Sequence, residues 1–110
     1  MSVPRPLERI RGPNAVEVEF LEETGPYGYA NLLRVVVRLV ARIPGTDRPF
    51  EHRLERIGVS PAERRAVRAE FVERMKQNLL PYLFRPDFPE RYRVHSVRNR
   101  ARVIRFPGTR

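Results

Sequence analysis

The chain contains no cysteine, and only one of its 22 basic residues is a lysine. Without cysteine, neither a disulfide nor thiolate chemistry is available, and no redox compartment can be inferred. No apolar run approaches the roughly 20 residues of a membrane-spanning helix, and the first residues lack the apolar stretch of a signal peptide. We therefore expect a cytoplasmic protein with no membrane contact, or a virion component if the protein belongs to a viral assembly.

Residues that carry catalysis or bind metals are also scarce. The two histidines, His52 and His95, fall in segments predicted to be strands, where sequence neighbours point to opposite faces. This separates His95 from Ser96 and His52 from Glu51, so adjacency creates neither a nucleophile–base pair nor a cation site. The sequence has no glycine-rich phosphate loop and no spaced set of metal ligands. We predict no enzymatic activity, no catalytic residue, no bound metal and no cofactor.

Arginine, in contrast, is abundant and unevenly distributed. Residues 1–57 hold nine arginines and eight acids, whereas residues 58–110 hold 13 cations and five acids. Because like charges at this density destabilise an isolated fold, the surplus indicates a polyanionic partner or a large acidic surface. The surplus is greatest in the last stretch of the chain, at Arg91, Arg93, Arg98, Arg100, Arg102, Arg105 and Arg110.

Three alternating segments predict strands of a single domain, since 110 residues suffice for one modest core. The first spans residues 15–23 and places Val16, Val18 and Phe20 inward. The second spans residues 31–43, where the β-branched run at positions 35–37 favours a strand over a helix. The third spans residues 49–57, and Pro49 at its start predicts an edge position.

A long helix is predicted to follow. Ser60 is a suitable cap, Pro61 fits the first helical position and Glu63 completes a capping box. Pro81 predicts that the helix stops near Leu80. One apolar stripe faces the core, and it consists of Val67, Phe71, Met75 and Leu79.

The two ends of the chain complete the predicted fold. Prolines at positions 4, 6 and 13 make residues 1–14 an extended basic arm. Residues 92–97 and 101–106 alternate and predict a hairpin that turns at residues 98–100, with residues 107–110 as a tail. The result is an α+β fold in which a small antiparallel sheet, in the order β-β-β-α-β-β, packs on one long helix within residues 15–106.

These patterns predict a non-enzymatic protein that binds nucleic acid, largely independently of sequence, through an arginine-rich C-terminal hairpin. The residues expected to contact nucleic acid are Arg93, Arg98, Arg100, Arg102 and Arg105, with Arg9, Arg11 and Arg68 as auxiliary contacts. Arginines 34, 38 and 42 are instead interpreted as a charge ladder that faces glutamates 17 or 19 of the first strand.

The alternative is a structural subunit of a large assembly, such as a phage capsid, connector or tail or a ribosome-like particle. Its terminal arms would contact neighbouring subunits, and the chain would form a homo-oligomer or a larger assembly. An acidic protein surface would then replace nucleic acid as the partner. The aromatic connector Tyr82, Phe84 and Phe88 is interpreted as a protein-interaction surface if exposed, and otherwise as a lid on the core.

Overall fold

In a computed structural model, which describes residues 4–28 and 31–95, a curled antiparallel sheet packs against one long helix and one short helix. The strands are β1 (Arg5–Arg11), β2 (Glu17–Glu22), β3 (Gly25–Tyr27), β4 (Leu32–Arg42) and β5 (Phe50–Val59). A 3-10 turn at Pro61–Glu63 leads into α1 (Arg64–Leu83), and residues 88–95 form α2. The predicted α+β class, with a small antiparallel sheet on one long helix, is confirmed at this level.

β4 is the central strand because both of its edges are paired. β5 pairs along residues 33–41 of β4, while β2 and β3 share the opposite edge at residues 37–42 and 32–34. β1 pairs with the free edge of β2. Among the described residues β1, β3 and β5 each pair with one strand only, which agrees with the edge position that Pro49 predicts for β5.

Strand alternation determines which face of the sheet forms the core. Val16, Val18 and Phe20 are fully buried, as predicted, and the odd-numbered residues of β4 from 35 to 41 share their face. α1 covers this inner face with Val67, Phe71 and Met75, and Phe88 of α2 is also buried in the core. The predicted apolar stripe of the long helix thus lies where helical periodicity places it.

The N-terminal segment is a strand rather than the predicted arm. β1 pairs antiparallel with β2, and the register shifts between Pro6 and Glu8. Proline is tolerated here because an edge strand needs only half of its N–H groups for pairing. The arm prediction overestimated the effect of the prolines and is wrong for Arg5–Arg11.

The end of the long helix also differs from the prediction. α1 passes through Pro81 and ends at Leu83, and Ser60 makes no side-chain capping hydrogen bond. Only one N–H is lost at the proline, and the N–H of Phe84 still closes the last turn on the carbonyl oxygen of Leu80 at 2.9 Å. Proline in the last turn therefore does not stop this helix.

The predicted C-terminal hairpin is wrong where the structure describes it. Residues 92–95 belong to α2 instead of a strand. Phe88 is buried and Tyr92, four residues later, packs against the same core, which is the spacing of a helix face. The rest of the predicted hairpin and the tail, residues 96–110, lie outside the described residues.

Candidate functional site

The face of the sheet that α1 leaves uncovered, here the outer face, carries alternating arginines and glutamates. Arg9 contacts Glu19 at 3.4 Å, and Arg11 and Glu17 are 3.3 Å apart, across the β1–β2 pair. Across β4 and β5, a further pair joins arginine 34 to glutamate 55 at 2.7 Å, and this hydrogen bond lowers the pKa of the glutamate. Among the described residues the outer face holds six cations and five acids, namely Arg9, Arg11, Arg34, Arg38, Arg42, Arg53, Glu17, Glu19, Glu23, Glu51 and Glu55.

Arg38 lies at the centre of the outer face. Its guanidinium is 2.9 Å from Glu23 and 3.4 Å from Glu51, so glutamates on both sides hold it. Val36 and Val40 are nearly fully buried on this face although no helix covers them. We attribute their burial to the aliphatic stems of the surrounding arginines and glutamates, which lie over apolar surface while their charged ends stay in water.

The predicted charge ladder is therefore present, but its register differs from the prediction. Arg38 lies opposite Leu21, and Glu17 lies opposite Arg42. The prediction centred the turn near Tyr27, whereas β3 continues the pairing with β4 through Tyr27. Because its charges largely neutralise one another, the outer face is a poor surface for phosphates.

The inner face contains one buried charge, the carboxylate of Glu22, whose side chain is 1% exposed. Its Oε2 accepts hydrogen bonds from Arg64 Nε at 2.9 Å and from the Thr24 hydroxyl at 2.7 Å. Its Oε1 accepts from an Arg68 guanidinium nitrogen at 3.2 Å. Burial alone raises the pKa of Glu22, but hydrogen bonds from Arg64, Thr24 and Arg68 outweigh it and lower the pKa to about 2.

This cluster joins the start of α1 to the end of β2. Arg64 and Arg68 are one helical turn apart, so both reach the same carboxylate. Glu22 has the parity of Val18 and Phe20, and this parity was the available sequence signal that it points inward. Sequence reasoning missed the cluster because it counted Arg68 only as a surface cation.

A second cluster of contacts defines one end of the molecule, here called the C-terminal pole. It comprises the β1–β2 turn (12–15), the β4–β5 turn (43–49), the end of α1 (83–86) and α2. The side-chain amide of Asn14 donates to the carbonyl oxygens of Leu83 at 2.9 Å and Arg85 at 2.7 Å. A Cβ added to Gly12 would overlap the ring of Phe84, so the absence of a side chain at Gly12 permits this close approach.

α2 is held to the same pole by two side chains. Tyr92 donates its hydroxyl hydrogen bond to the carbonyl oxygen of Pro49 at 3.0 Å. Arg93 donates to the carbonyl oxygen of Pro44 at 2.9 Å. These bonds satisfy carbonyls of the β4–β5 turn and fix the position of His95, the residue after which residues 96–110 begin.

The C-terminal pole carries arginines that glutamates do not neutralise. Arg48 and Arg85 are exposed and make no ion pair with another described residue, and the same holds for Arg42 at the end of β4, on the outer face. Arg93 donates to a neutral carbonyl, so its positive charge is not compensated. The pole also holds the acids Asp47 and Glu90, and its Arg91 contacts Asp87 at 3.1 Å. It differs from the outer face because fewer of its arginines contact a carboxylate.

The four described residues among the predicted nucleic-acid contacts lie in three different parts of the structure. Arg9 and Arg11 pair with glutamates of the outer face, and Arg68 binds the buried Glu22. Arg93 lies on α2 at the C-terminal pole. The other four, Arg98, Arg100, Arg102 and Arg105, lie outside the described residues.

The aromatic connector is divided between core and surface. Phe88 is 2% exposed and belongs to the core, where its ring contacts those of Tyr82 and Tyr92. Phe84 is half-buried over Gly12, whereas Tyr82 is 49% exposed. For Phe88 the lid interpretation is correct, because the predicted interaction surface would require it to be exposed.

No group of three or more acidic or histidine side chains within residues 4–28 and 31–95 is arranged to hold a metal ion. In the same part of the chain, neither helix has the length and apolar character needed to cross a membrane. Comparison of the chain with protein-family models, curated proteins and solved structures gives no match. The function is therefore argued from the residues themselves.

Proposed function

We propose that the protein binds nucleic acid without catalysing a reaction and with little sequence preference. The binding residues are the arginines of residues 96–110 together with the uncompensated arginines of the C-terminal pole. The observation that carries this proposal is the partition of charge. The described residues hold 17 of the 22 basic side chains and all 13 acidic ones, so they carry a formal charge of +4. The other five cations are arginines within residues 96–110, which contain no acid.

Ion pairs among the described residues increase this difference in available positive charge. Arginines of the outer face and of α1 contact glutamates at 2.7–3.4 Å, so much of their charge is already neutralised. Arg48, Arg85 and Arg93 of the C-terminal pole have no such partner among the described residues. Since residue 96 follows directly from α2, Arg93 and the five arginines of residues 96–110 lie close together in the chain.

The mechanism of binding is electrostatic. Each guanidinium that contacts a phosphate releases condensed counterions, and its planar fork matches two phosphate oxygens at once. Contacts to phosphates position a protein on nucleic acid but carry no sequence information. We therefore expect affinity to fall steeply with salt and to change little with base sequence.

The first test is charge reversal within residues 96–110 of the full-length chain. The variant Arg100→Glu/Arg102→Glu should lose binding to labelled single- and double-stranded DNA and RNA in fluorescence anisotropy at low salt. Its circular dichroism spectrum and thermal midpoint should stay close to those of the wild type. Unfolding of the variant would instead indicate that these arginines form structural pairs.

A matched single substitution controls for net charge. Arg65 is exposed near the start of α1, about 30 Å along the helix from the C-terminal pole, and it pairs with no other described residue. Arg100→Glu and Arg65→Glu change the charge equally, and we expect only the first to weaken binding strongly. If the wild type fails to bind any nucleic acid at low salt, the proposal is wrong and the assembly subunit becomes the better hypothesis.

A further inference from the structure

Among the described residues, β1 and β5 are the two long strands with an unpaired edge, and they differ in how readily they can pair with another chain. β1 has Pro4 beside it, Pro6 within it and a register shift after Pro6. β5 is ten residues long, has no proline within it and pairs only with β4 among the described residues. An exposed edge of this length presents unpaired N–H and C=O groups that can bind a further strand.

The sequence of β5 is complementary to itself when two copies run antiparallel. We propose that β5 pairs with β5 of a second copy of the chain, in a register centred on His52. In that register Glu51 lies opposite Arg53 of the second copy, and Arg53 lies opposite its Glu51. On the other face Phe50 lies opposite Leu54, again twice by symmetry. Opposite charges and apolar pairs directly across two antiparallel strands are stabilising.

The charged residues of this edge are accessible to a second copy. Within the chain Glu51 contacts Arg38 at 3.4 Å and Arg53 contacts Glu55 at 3.0 Å. The side chains of Glu51 and Arg53 are nonetheless 48% and 51% exposed, so each can share a further partner. Charges of a single sign along an edge prevent pairing, whereas these alternate in sign and match their own symmetry mate.

The side-chain pairs on both faces of the sheet favour the register centred on His52 over one centred on Leu54. Centring the pair on Leu54 would still place Arg53 opposite a glutamate, Glu55. It would also place Phe50 opposite Gly58, at the register shift of β5, and His52 opposite Arg56, which Glu70 already holds at 3.1 Å. The register centred on His52 avoids both mismatches and confines the pairing to residues 50–54, because positions 48 and 49, opposite residues 56 and 55, precede β5.

The pair has two-fold symmetry about an axis normal to the sheet at His52. Both copies use the same β5 edge across such an axis. The contact is therefore complete in a dimer and leaves no β5 edge for a third copy. α1 then lies on the same side of the joined sheet in both copies. The paired residues 50–54 include none of the arginines proposed to bind nucleic acid, so this inference does not rest on that proposal.

Sedimentation velocity of the full-length protein, freed of nucleic acid, tests the contact. The 13.0 kDa chain should show a concentration-dependent equilibrium between one and two copies. Arg53→Glu or Glu51→Arg alone should weaken association about tenfold, because each places like charges opposite one another twice. The double variant Glu51→Arg/Arg53→Glu should restore association, whereas Arg65→Glu should leave it unchanged.

The absence of cysteine permits a direct test of the register. His52→Cys should cross-link two copies under mild oxidation, since the central residues of the pair face each other. Leu54→Cys should cross-link far less, and Arg65→Cys is the control for random collision. A monomer at all concentrations, or association that no charge reversal affects, would overturn the proposal. Preferential cross-linking through position 54 would overturn the register.

Discussion

The arginines of the folded body and those of the C-terminal region are chemically identical but differ in the acids around them. On the outer face, strand pairing places each row of arginines beside a row of glutamates, as with Arg9 and Glu19 or Arg11 and Glu17. Residues 96–110 hold five arginines and no acid, and at the C-terminal pole Arg48, Arg85 and Arg93 contact no carboxylate among the described residues. The number of arginines therefore does not define a binding surface, because nearby carboxylates neutralise some of their charges and not others.

The largest expected effect concerns the arginines of α1 that bind Glu22. Glu22→Gln leaves Arg64 and Arg68 beside a buried neutral amide, and we expect it to lower the free energy of unfolding by about 2–3 kcal/mol. Urea denaturation measures this loss. Glu19→Gln removes an exposed pair with Arg9 and should cost at most about 1 kcal/mol. Equal losses would contradict the distinction between buried and exposed pairs.

The lowered pKa of the Glu22 carboxylate predicts how the stability of the protein depends on pH. Because the pKa of Glu22 is about 2 in the folded protein and ordinarily near 4.5, its stabilisation is complete above pH 4.5. It is lost progressively as the pH falls from 4.5 towards 2. Glu22 alone should therefore contribute a loss of about 3 kcal/mol over this range, which unfolding followed by circular dichroism measures as the difference from Glu22→Gln. The Glu22→Gln variant should lose correspondingly less, and parallel curves for the two proteins would contradict the assignment.

A smaller effect is expected where the C-terminal pole is joined to the rest of the fold. Asn14→Ala removes three hydrogen bonds: two donated to the carbonyl oxygens of Leu83 and Arg85, at 2.9 and 2.7 Å, and one accepted from the N–H of Val16 at 3.2 Å. We expect a loss of about 1 kcal/mol in the free energy of unfolding, since these carbonyls are only partly buried. Asn78→Ala, at an exposed position of α1, should cost little. An unchanged Asn14 variant would show that water replaces these bonds.

The smallest effect is expected for the exposed pairs of β1. Arg9→Gln/Arg11→Gln should change the free energy of unfolding by less than about 1 kcal/mol, because both pairs are solvent-exposed. Nucleic-acid affinity should also stay nearly constant, although the charge falls by two. Anisotropy and urea denaturation on the same preparation check both statements. A large loss of affinity would show that glutamates do not neutralise these arginines.

Sequence reasoning succeeded where a local period governs structure. Val16, Val18 and Phe20 alternate and are buried, and the stripe of Val67, Phe71 and Met75 faces the core. Both patterns follow from the geometry of a single element, so no knowledge of the rest of the fold was needed.

The failures depend on contacts between distant segments. Proline at position 6 argued against pairing, but β1 needs only one partner strand and buries Leu7 and Ile10 partly against the core. Arg68 was assigned to the surface because its partner, Glu22, is 46 residues away. Residues 92–95 alternate like a strand, yet the contacts of Phe88 and Tyr92 at the C-terminal pole stabilise a helix.

The most direct test of free and compensated arginines is the salt dependence of duplex-DNA binding by two matched variants. Arg100→Gln/Arg102→Gln and Arg9→Gln/Arg11→Gln each remove two charges. Neutralising a phosphate contributes about 0.9 to the slope of log affinity against log salt. We predict that the C-terminal variant loses roughly 1.8 from this slope while the β1 variant keeps the slope of the wild type. Equal slopes for the two variants would contradict the account.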